Sequence, residues 1–115
     1  MLKAVNLLNE VNNVKELYYY QLVGEMNGHG LRVVNVADRT LDFHVHEKSD
    51  ELFYVIEGGF DLETEDGLLP VKAGEFIIVP RGTKHRPVVK ELTKFLMIEL
   101  DGTLTKENSG DAFEE

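Results

Sequence analysis

The stretches that decide the fold read HVHEKSDELFYVIEG (residues 44–58) and GEFIIVPRGTKH (residues 74–85). Each joins a β-branched or aromatic run to glycine or proline, and together they hold three of the four histidines. Short apolar runs bounded by turn residues are typical of β-strands. The two stretches therefore predict short strands connected by tight turns.

The same alternation of strand-like runs and turn residues extends outward in both directions. Asn27-Gly28 and Asp66-Gly67 each lie between two apolar runs, which is the strongest short-range signal for a hairpin. The predicted strands span residues 18–26, 31–36, 52–56, 60–65, 68–72, 76–79, 85–89 and 94–100, with a further one carrying His44 and His46. Many short strands joined by tight turns predict an all-β sandwich or barrel.

The length of 115 residues fits one domain, with a barrel core over about residues 16–100. The first 15 residues leave two interpretations open, because Ala4, Leu7 and Val11 fit a helical stripe while residues 4–8 also fit a short edge strand. Residues 101–115 are predicted to form an acidic, poorly ordered tail.

The charge balance and the absence of cysteine exclude several functions. Twelve Lys and Arg against 21 Asp and Glu give a net charge of −9, which disfavours nucleic acid and anionic membranes as partners. Without cysteine, disulfides and thiolate metal sites are impossible. The apolar runs are too short for a signal peptide or a membrane span. We expect a soluble, cytoplasmic protein.

Three histidines and one glutamate have the spacing expected of a metal site. His44 and His46 are two residues apart on a predicted strand, so their side chains share a face. Glu51 opens the next apolar run, and His85 follows the Pro80–Gly82 turn. Three imidazoles and one carboxylate favour a divalent Fe, Mn, Ni, Co, Cu or Zn ion over calcium or magnesium. Alternatively, the histidine pair lies on an exposed strand face.

The wider pattern resembles the two signature motifs of the cupin superfamily. The first motif matches at His44, His46, Glu51 and Gly58, and the second matches at Gly74, Pro80, Gly82 and His85. This resemblance implies a double-stranded β-helix, or jelly-roll barrel. It also implies that one divalent transition metal is held by the ligands His44, His46, Glu51 and His85.

Two positions depart from the cupin motifs. Asp38 stands where the first motif usually opens with glycine, and Val89 stands where the second usually ends with asparagine. Neither position is a ligand. The missing asparagine removes a polar group from the barrel wall, so a specific activity transfers less readily from family members that have it.

The function that the resemblance implies has several versions. Similar cupins include isomerases of phosphorylated sugars, dioxygenases and non-catalytic modules that bind or sense a small molecule. Asp42, in phase with His44, is a candidate general base or a partner of a ligating histidine, and Glu99 is a weaker candidate base. The cations Arg81, Lys84 and Arg86 either bind an anionic ligand or belong to a solvated turn.

Small cupins commonly form homodimers, and the resemblance implies one here. The aromatic run Tyr18-Tyr19-Tyr20 could supply contacts for such an interface, although tyrosine is also simply a good strand former.

Overall fold

A computed structural model of the chain describes residues 2–102, which form two antiparallel β-sheets and one short helix. The elements are α1 (Leu7–Asn12), β1 (Gln21–Met26), β2 (His29–Val36), β3 (Arg39–Thr40), β4 (Glu51–Glu57), β5 (Gly59–Thr64), β6 (Gly67–Lys72), β7 (Phe76–Val79), β8 (Arg86–Val89) and β9 (Thr93–Leu100). The strand orders are β1-β2-β9-β4-β7 and β3-β8-β5-β6. This arrangement confirms the predicted all-β fold.

The chain passes from one sheet to the other between β4 and β5, at the glycine that closes the first motif. Gly58 has a φ of +84°, and a Cβ atom there would clash with the backbone oxygen of Leu92. Only glycine fits both the left-handed backbone and this close approach. The motif glycine therefore allows the sheet to roll over onto itself.

The main core lies between the two sheets, on the inward faces of the strands. Its buried members are Tyr18, Val34, Val36, Leu41, Phe53, Val55, Phe60, Leu62, Val71, Val79, Val89, Phe95 and Met97. Val89, which replaces the family's asparagine, is thus a core residue and 3% exposed. An apolar side chain suits this position because no unpaired polar atom is left in the barrel wall.

The N-terminal segment is helical, which resolves the two alternatives left by the sequence. The side chain of Asn6 accepts a hydrogen bond from the Asn9 amide at 2.9 Å and caps α1. Val11 is fully buried and packs with Val33 and Leu96 on the outer side of the larger sheet. The Asn35 side chain donates to the Val11 carbonyl at 2.9 Å, so a buried hydrogen bond also holds the helix.

Two predicted strands are shorter than expected. Tyr18 has a φ of +62°, so the first strand begins at Gln21 and not at residue 18. After β3 ends at Thr40, His44 forms only an isolated bridge, and the strand predicted through His46 is wrong. Asp38 has a φ of +46°, a conformation that the family's glycine would adopt more easily.

The remaining predictions concern a membrane span, the C-terminal tail and a homodimer. Within residues 2–102, no helix has the length and apolar character needed to cross a bilayer. The predicted tail lies, from residue 103 onward, outside the described residues. The homodimer stays a prediction. Tyr18 is buried in the core and Tyr20 packs against it, so two of the three tyrosines point inward.

Candidate metal centre

His44 and His85 are brought together by a backbone bridge between the two motifs. The His44 amide donates to the His85 carbonyl at 3.0 Å, and the His85 amide donates back to His44 at 3.1 Å. Residues that face each other in this way project their side chains to the same side. The ring centroids are 4.5 Å apart, and both side chains point into the barrel.

The turn after β7 holds the loop that carries His46. The Gly82 amide donates to the His46 carbonyl at 2.8 Å, and the Arg81 amide donates to the Asp50 carboxylate at 2.9 Å. The buried hydroxyl of Ser49 accepts from the Leu100 amide at 3.0 Å, which ties the same loop to the end of β9. Although residues 41–50 form no regular strand, these contacts fix the loop.

Glu51 is the first residue of β4 and completes the group. The four side chains predicted as ligands each offer one atom, and these atoms lie within 4.8 Å of one another. We call these residues the His/Glu cluster: His44, His46, Glu51 and His85. They are 8%, 2%, 2% and 1% exposed, respectively. The four residues that the sequence spacing predicts as a group thus lie together inside the barrel.

Two of the imidazoles have a defined orientation. The Nδ1 atom of His44 lies 2.9 Å from the Asp42 carbonyl, and that of His85 lies 2.7 Å from the Thr83 carbonyl. A carbonyl oxygen can only accept, so each Nδ1 must donate its proton. In the neutral tautomer, each Nε2 then presents a lone pair, which is the form that binds a metal.

The charges within the His/Glu cluster are strongly coupled. Burial opposes ionisation of Glu51, but the imidazoles of His46 and His85 lower its pKa to about 2. Burial likewise opposes protonation of His85, yet its hydrogen bond to Glu51 at 3.0 Å raises its pKa above the ordinary value. Burial lowers the pKa of His44. The cluster thus combines an ionised carboxylate with a neutral imidazole at neutral pH.

The positions of the donor atoms suit a shared transition metal, and hydrogen bonds within the cluster do not satisfy all of them. The Nε2 atom of His46 lies 3.4 Å from Glu51, and within residues 2–102 neither of its ring nitrogens has a hydrogen-bond partner. Unsatisfied buried polar atoms are uncommon and costly. Opposite ligands of a metal with bonds of about 2.1 Å lie about 4.2 Å apart. The spread of the four atoms therefore requires only small side-chain adjustments.

Two further polar side chains lie close to the cluster. Glu99 on β9 is fully buried, and its pKa is raised to about 9, first by burial and then by the charge of Glu51. Burial, together with the charges of Glu51 and Glu99, also raises the pKa of Tyr20. The sequence alone indicates Tyr20 as a possible dimer contact or as a strand former. Its position against the core becomes visible only in the folded chain.

Asp42 and the three cations occupy other positions. Asp42 is exposed, and the contact it makes with His44 is through its backbone carbonyl. Because His85 points inward, the adjacent side chains of Lys84 and Arg86 point to the other face. Both lie over the exposed ring of Phe43, at 5.5 Å and 4.2 Å. The side chain of Arg81 is exposed. Their roles in catalysis and anion binding stay predictions.

Comparison with known sequences supports the family that these motifs indicate. The sequence model of the cupin domain family matches residues 31–111, which include the whole His/Glu cluster. The chain belongs to the cupin family. Its double-stranded β-helix is shared with a cupin-2 domain protein from Shewanella frigidimarina. The two are 28% identical, with 84% of this chain and 93% of that chain covered and a TM-score of 0.79.

Two curated relatives show how far the similarity extends. The uncharacterized protein YdbB of Bacillus subtilis is 39% identical to this cupin over 87 residues, which cover 75% of this chain and 76% of YdbB. Homogentisate 1,2-dioxygenase of Bradyrhizobium diazoefficiens is 30% identical over 81 residues. That match covers 67% of this chain but only 18% of the dioxygenase, so it relates the cupin to a small part of a larger enzyme.

Proposed function

We propose that this cupin binds one divalent transition metal through His44, His46, Glu51 and His85 and uses that metal to act on a small, oxygen-rich molecule. The observation that carries the proposal is the convergence of four buried donor atoms within 4.8 Å, with the imidazole nitrogens of His46 left without partners among the described residues. A metal ion would bind one nitrogen of His46 together with the other three donor atoms.

The four protein ligands would not occupy every coordination position of the metal. These four residues would leave part of the metal accessible to oxygens of a bound molecule. When bound there, a divalent ion polarises ligand oxygens as a Lewis acid, and a redox-active ion adds reaction with dioxygen. Phe53 and Met97 lie one step further along the inward faces of β4 and β9, so that side of the site is apolar.

Of the enzyme versions, the dioxygenase-like one has more support. The sugar-phosphate isomerase version needs cations that can reach a phosphate beside the metal. Lys84 and Arg86 are on the face opposite His85, and Arg86 is held by Glu63 at 2.7 Å. The sequence similarity to a dioxygenase agrees with this choice. In such a reaction both atoms of O₂ enter the organic substrate, and no further reductant is needed.

A non-catalytic binding module is the second candidate function. It is favoured by the position of Asp42, because the side chain of this candidate general base is exposed. Among the described residues, the buried acids close to the cluster that are not themselves ligands are Glu99 and Tyr20. The same site would then bind a ligand on the metal and release it unchanged.

Metal content and affinity test the proposal first. Elemental analysis after gentle purification, followed by titration of the metal-free protein with Co²⁺ or Fe²⁺, is expected to show one ion per chain. His85→Ala should weaken binding by at least about 100-fold, since loss of a ligand exceeds the usual effect of loss of an outer partner. His29→Ala is the matched control, because this histidine lies outside the cluster. A wild-type protein that neither carries nor takes up metal would refute the proposal.

Oxygen uptake then separates the two candidates. The iron-loaded protein would be incubated in an oxygen electrode with a panel of vicinal diols, hydroxy acids and diketones. Uptake that needs iron and a particular substrate, and that is lost in His85→Ala, supports the enzyme. Tight binding of a panel member without turnover supports the module.

A further inference from the structure

Two buried polar side chains face each other behind the His/Glu cluster. The Nδ1 atom of His46 lies 4.0 Å from Oε2 of Glu99, and the side chains are 2% and 0% exposed. Within residues 2–102, neither ring nitrogen of His46 and neither carboxylate oxygen of Glu99 has a hydrogen-bond partner. Buried polar groups that are left unpaired destabilise a fold. The fold nevertheless buries both in the same place.

The other two histidines show what His46 lacks. Backbone carbonyls accept from Nδ1 of His44 at 2.9 Å and of His85 at 2.7 Å, which directs each Nε2 towards the centre. No carbonyl of the described residues does this for His46. A carboxyl oxygen of Glu99 lies 4.0 Å from its Nδ1.

The strand register explains why Glu99 stands at this position. β4 and β9 pair Leu52 with Ile98, so the next position along sets Glu51 beside Glu99. Both side chains point into the barrel, one towards the ligand atoms and the other behind the ring of His46. The Leu100 amide is tied to Ser49, which fixes the end of β9 against the loop that carries His46.

We propose that Glu99 is a positioning residue, whose carboxyl oxygen accepts a hydrogen bond from Nδ1–H of His46 and thereby turns Nε2 towards the metal. The inference rests on the proposed metal-binding function. A shift of about 1 Å between the two side chains would bring the two atoms into hydrogen-bond range. The partner of a ligating histidine fixes its tautomer and orientation, and its loss lowers metal affinity by about 10–100-fold.

The test compares Glu99→Met with Glu99→Gln. Methionine keeps the side chain's length but removes the acceptor, so Co²⁺ affinity should fall by about 10–100-fold. The melting temperature of the metal-free protein should rise by about 5 °C, since an unpaired buried carboxyl is removed. A merely structural role for Glu99 predicts that stability falls together with affinity. The Glu99→Gln variant retains an acceptor oxygen, so it should keep most of the affinity.

The controls separate this inference from the proposed function. Glu57→Met makes the same exchange at an exposed position of β4 and should leave Co²⁺ binding unchanged. If the wild type binds Co²⁺ and Glu99→Met binds it equally well, the inference fails while the metal site stands. If the wild type binds no metal, both fail.

Nitrogen NMR gives a readout that does not depend on how well Glu99→Met folds. In the Zn²⁺-loaded wild type and in Glu99→Gln, the proton of His46 should reside on Nδ1 and the metal on Nε2. A metal bound through Nδ1, or a proton on Nε2, would overturn the assignment.

Discussion

The inward faces of β4 and β9 change character within a few residues. Glu51 and Glu99 begin a polar region that includes the His/Glu cluster, whereas Phe53 and Phe95 belong to an aromatic region with Phe60. The aromatic rings pack edge to face or tilted, with centroids 5.3–5.6 Å apart and exposures of 2–5%. The same strands therefore build both regions. The aromatic region is closely packed, whereas the polar region contains buried atoms without hydrogen-bond partners among residues 2–102.

This contrast indicates that the barrel separates a well-packed apolar region from a polar region along its length. Buried aromatic side chains contribute large apolar areas and favourable ring contacts. The unpaired atoms of the polar region lower the stability of the fold, because His46 and Glu99 are buried without hydrogen-bond partners among residues 2–102. A fold that carries such a region needs a surplus from elsewhere in its core. The three phenylalanines supply a large part of that surplus.

Phe95→Ala is expected to have the largest effect on stability. Truncation of a phenylalanine that is 2% exposed and contacts two other rings should lower the free energy of unfolding by about 3–5 kcal/mol. Chemical denaturation with urea measures this change. At temperatures where the variant remains folded, its Co²⁺ affinity should stay close to that of the wild type. A large loss of affinity in the folded variant would show that the two regions are not separable.

The sequence predicted the parts of the molecule that follow from spacing and turn chemistry. The strands from β4 to β9 lie close to their predicted positions, because Gly58, Asp66-Gly67 and Pro80 mark turns that only a few conformations satisfy. The four residues of the His/Glu cluster were also predicted as a group. Their spacing matches the cupin motifs, whose residues come together in the folded barrel.

The parts that the sequence did not predict depend on tertiary contacts. Asp38 and Tyr18 adopt left-handed backbone conformations that neither residue type indicates in advance. His44 and His46 reach one site from an irregular loop and not from a strand, since the turn at Gly82 holds the loop in place. The proximity of Glu99 to His46 joins two distant positions of the chain and needed the register of β4 and β9.

The stability of the metal-free protein should vary with pH in a way that reflects the polar region. Glu51 has a folded pKa of about 2, so its stabilising contribution is present above its unfolded value of 4.5 and is lost as the pH falls towards 2. The raised pKa of His85 gives a contribution present below 6.5 and lost as the pH rises through the raised value. Glu99, with a folded pKa of about 9, destabilises the fold increasingly between pH 4.5 and 9.

Together these signs predict a stability maximum at about pH 5–6 and a clear fall in melting temperature towards pH 9. Scanning calorimetry in the presence of a chelator measures it, and Glu99→Gln should flatten the alkaline decline. The increase in melting temperature that added Zn²⁺ causes should instead grow as the pH rises, because protons compete with the metal for His85. A metal-free melting temperature that rises steadily from about pH 5.5 to 8.5 would contradict the assignment of these shifts to the polar region.

Arg86→Ala should have the smallest effect and tests the outer face of the same bridge that positions His85. Arg86 donates to Glu63 at 2.7 Å and lies 4.2 Å above the ring of Phe43, and its side chain is 31% exposed. Partly exposed ion pairs and cation–π contacts contribute little, so the free energy of unfolding should fall by only about 0.5–1 kcal/mol. Since Arg86 alternates with His85, binding of Co²⁺ and of any anionic ligand by the loaded protein should be unchanged. Weaker binding of phosphorylated ligands by the variant than by the wild type would contradict this expectation. It would mean that Arg86 reaches the metal-bound molecule. The isomerase-like function would then have more support than the dioxygenase-like one.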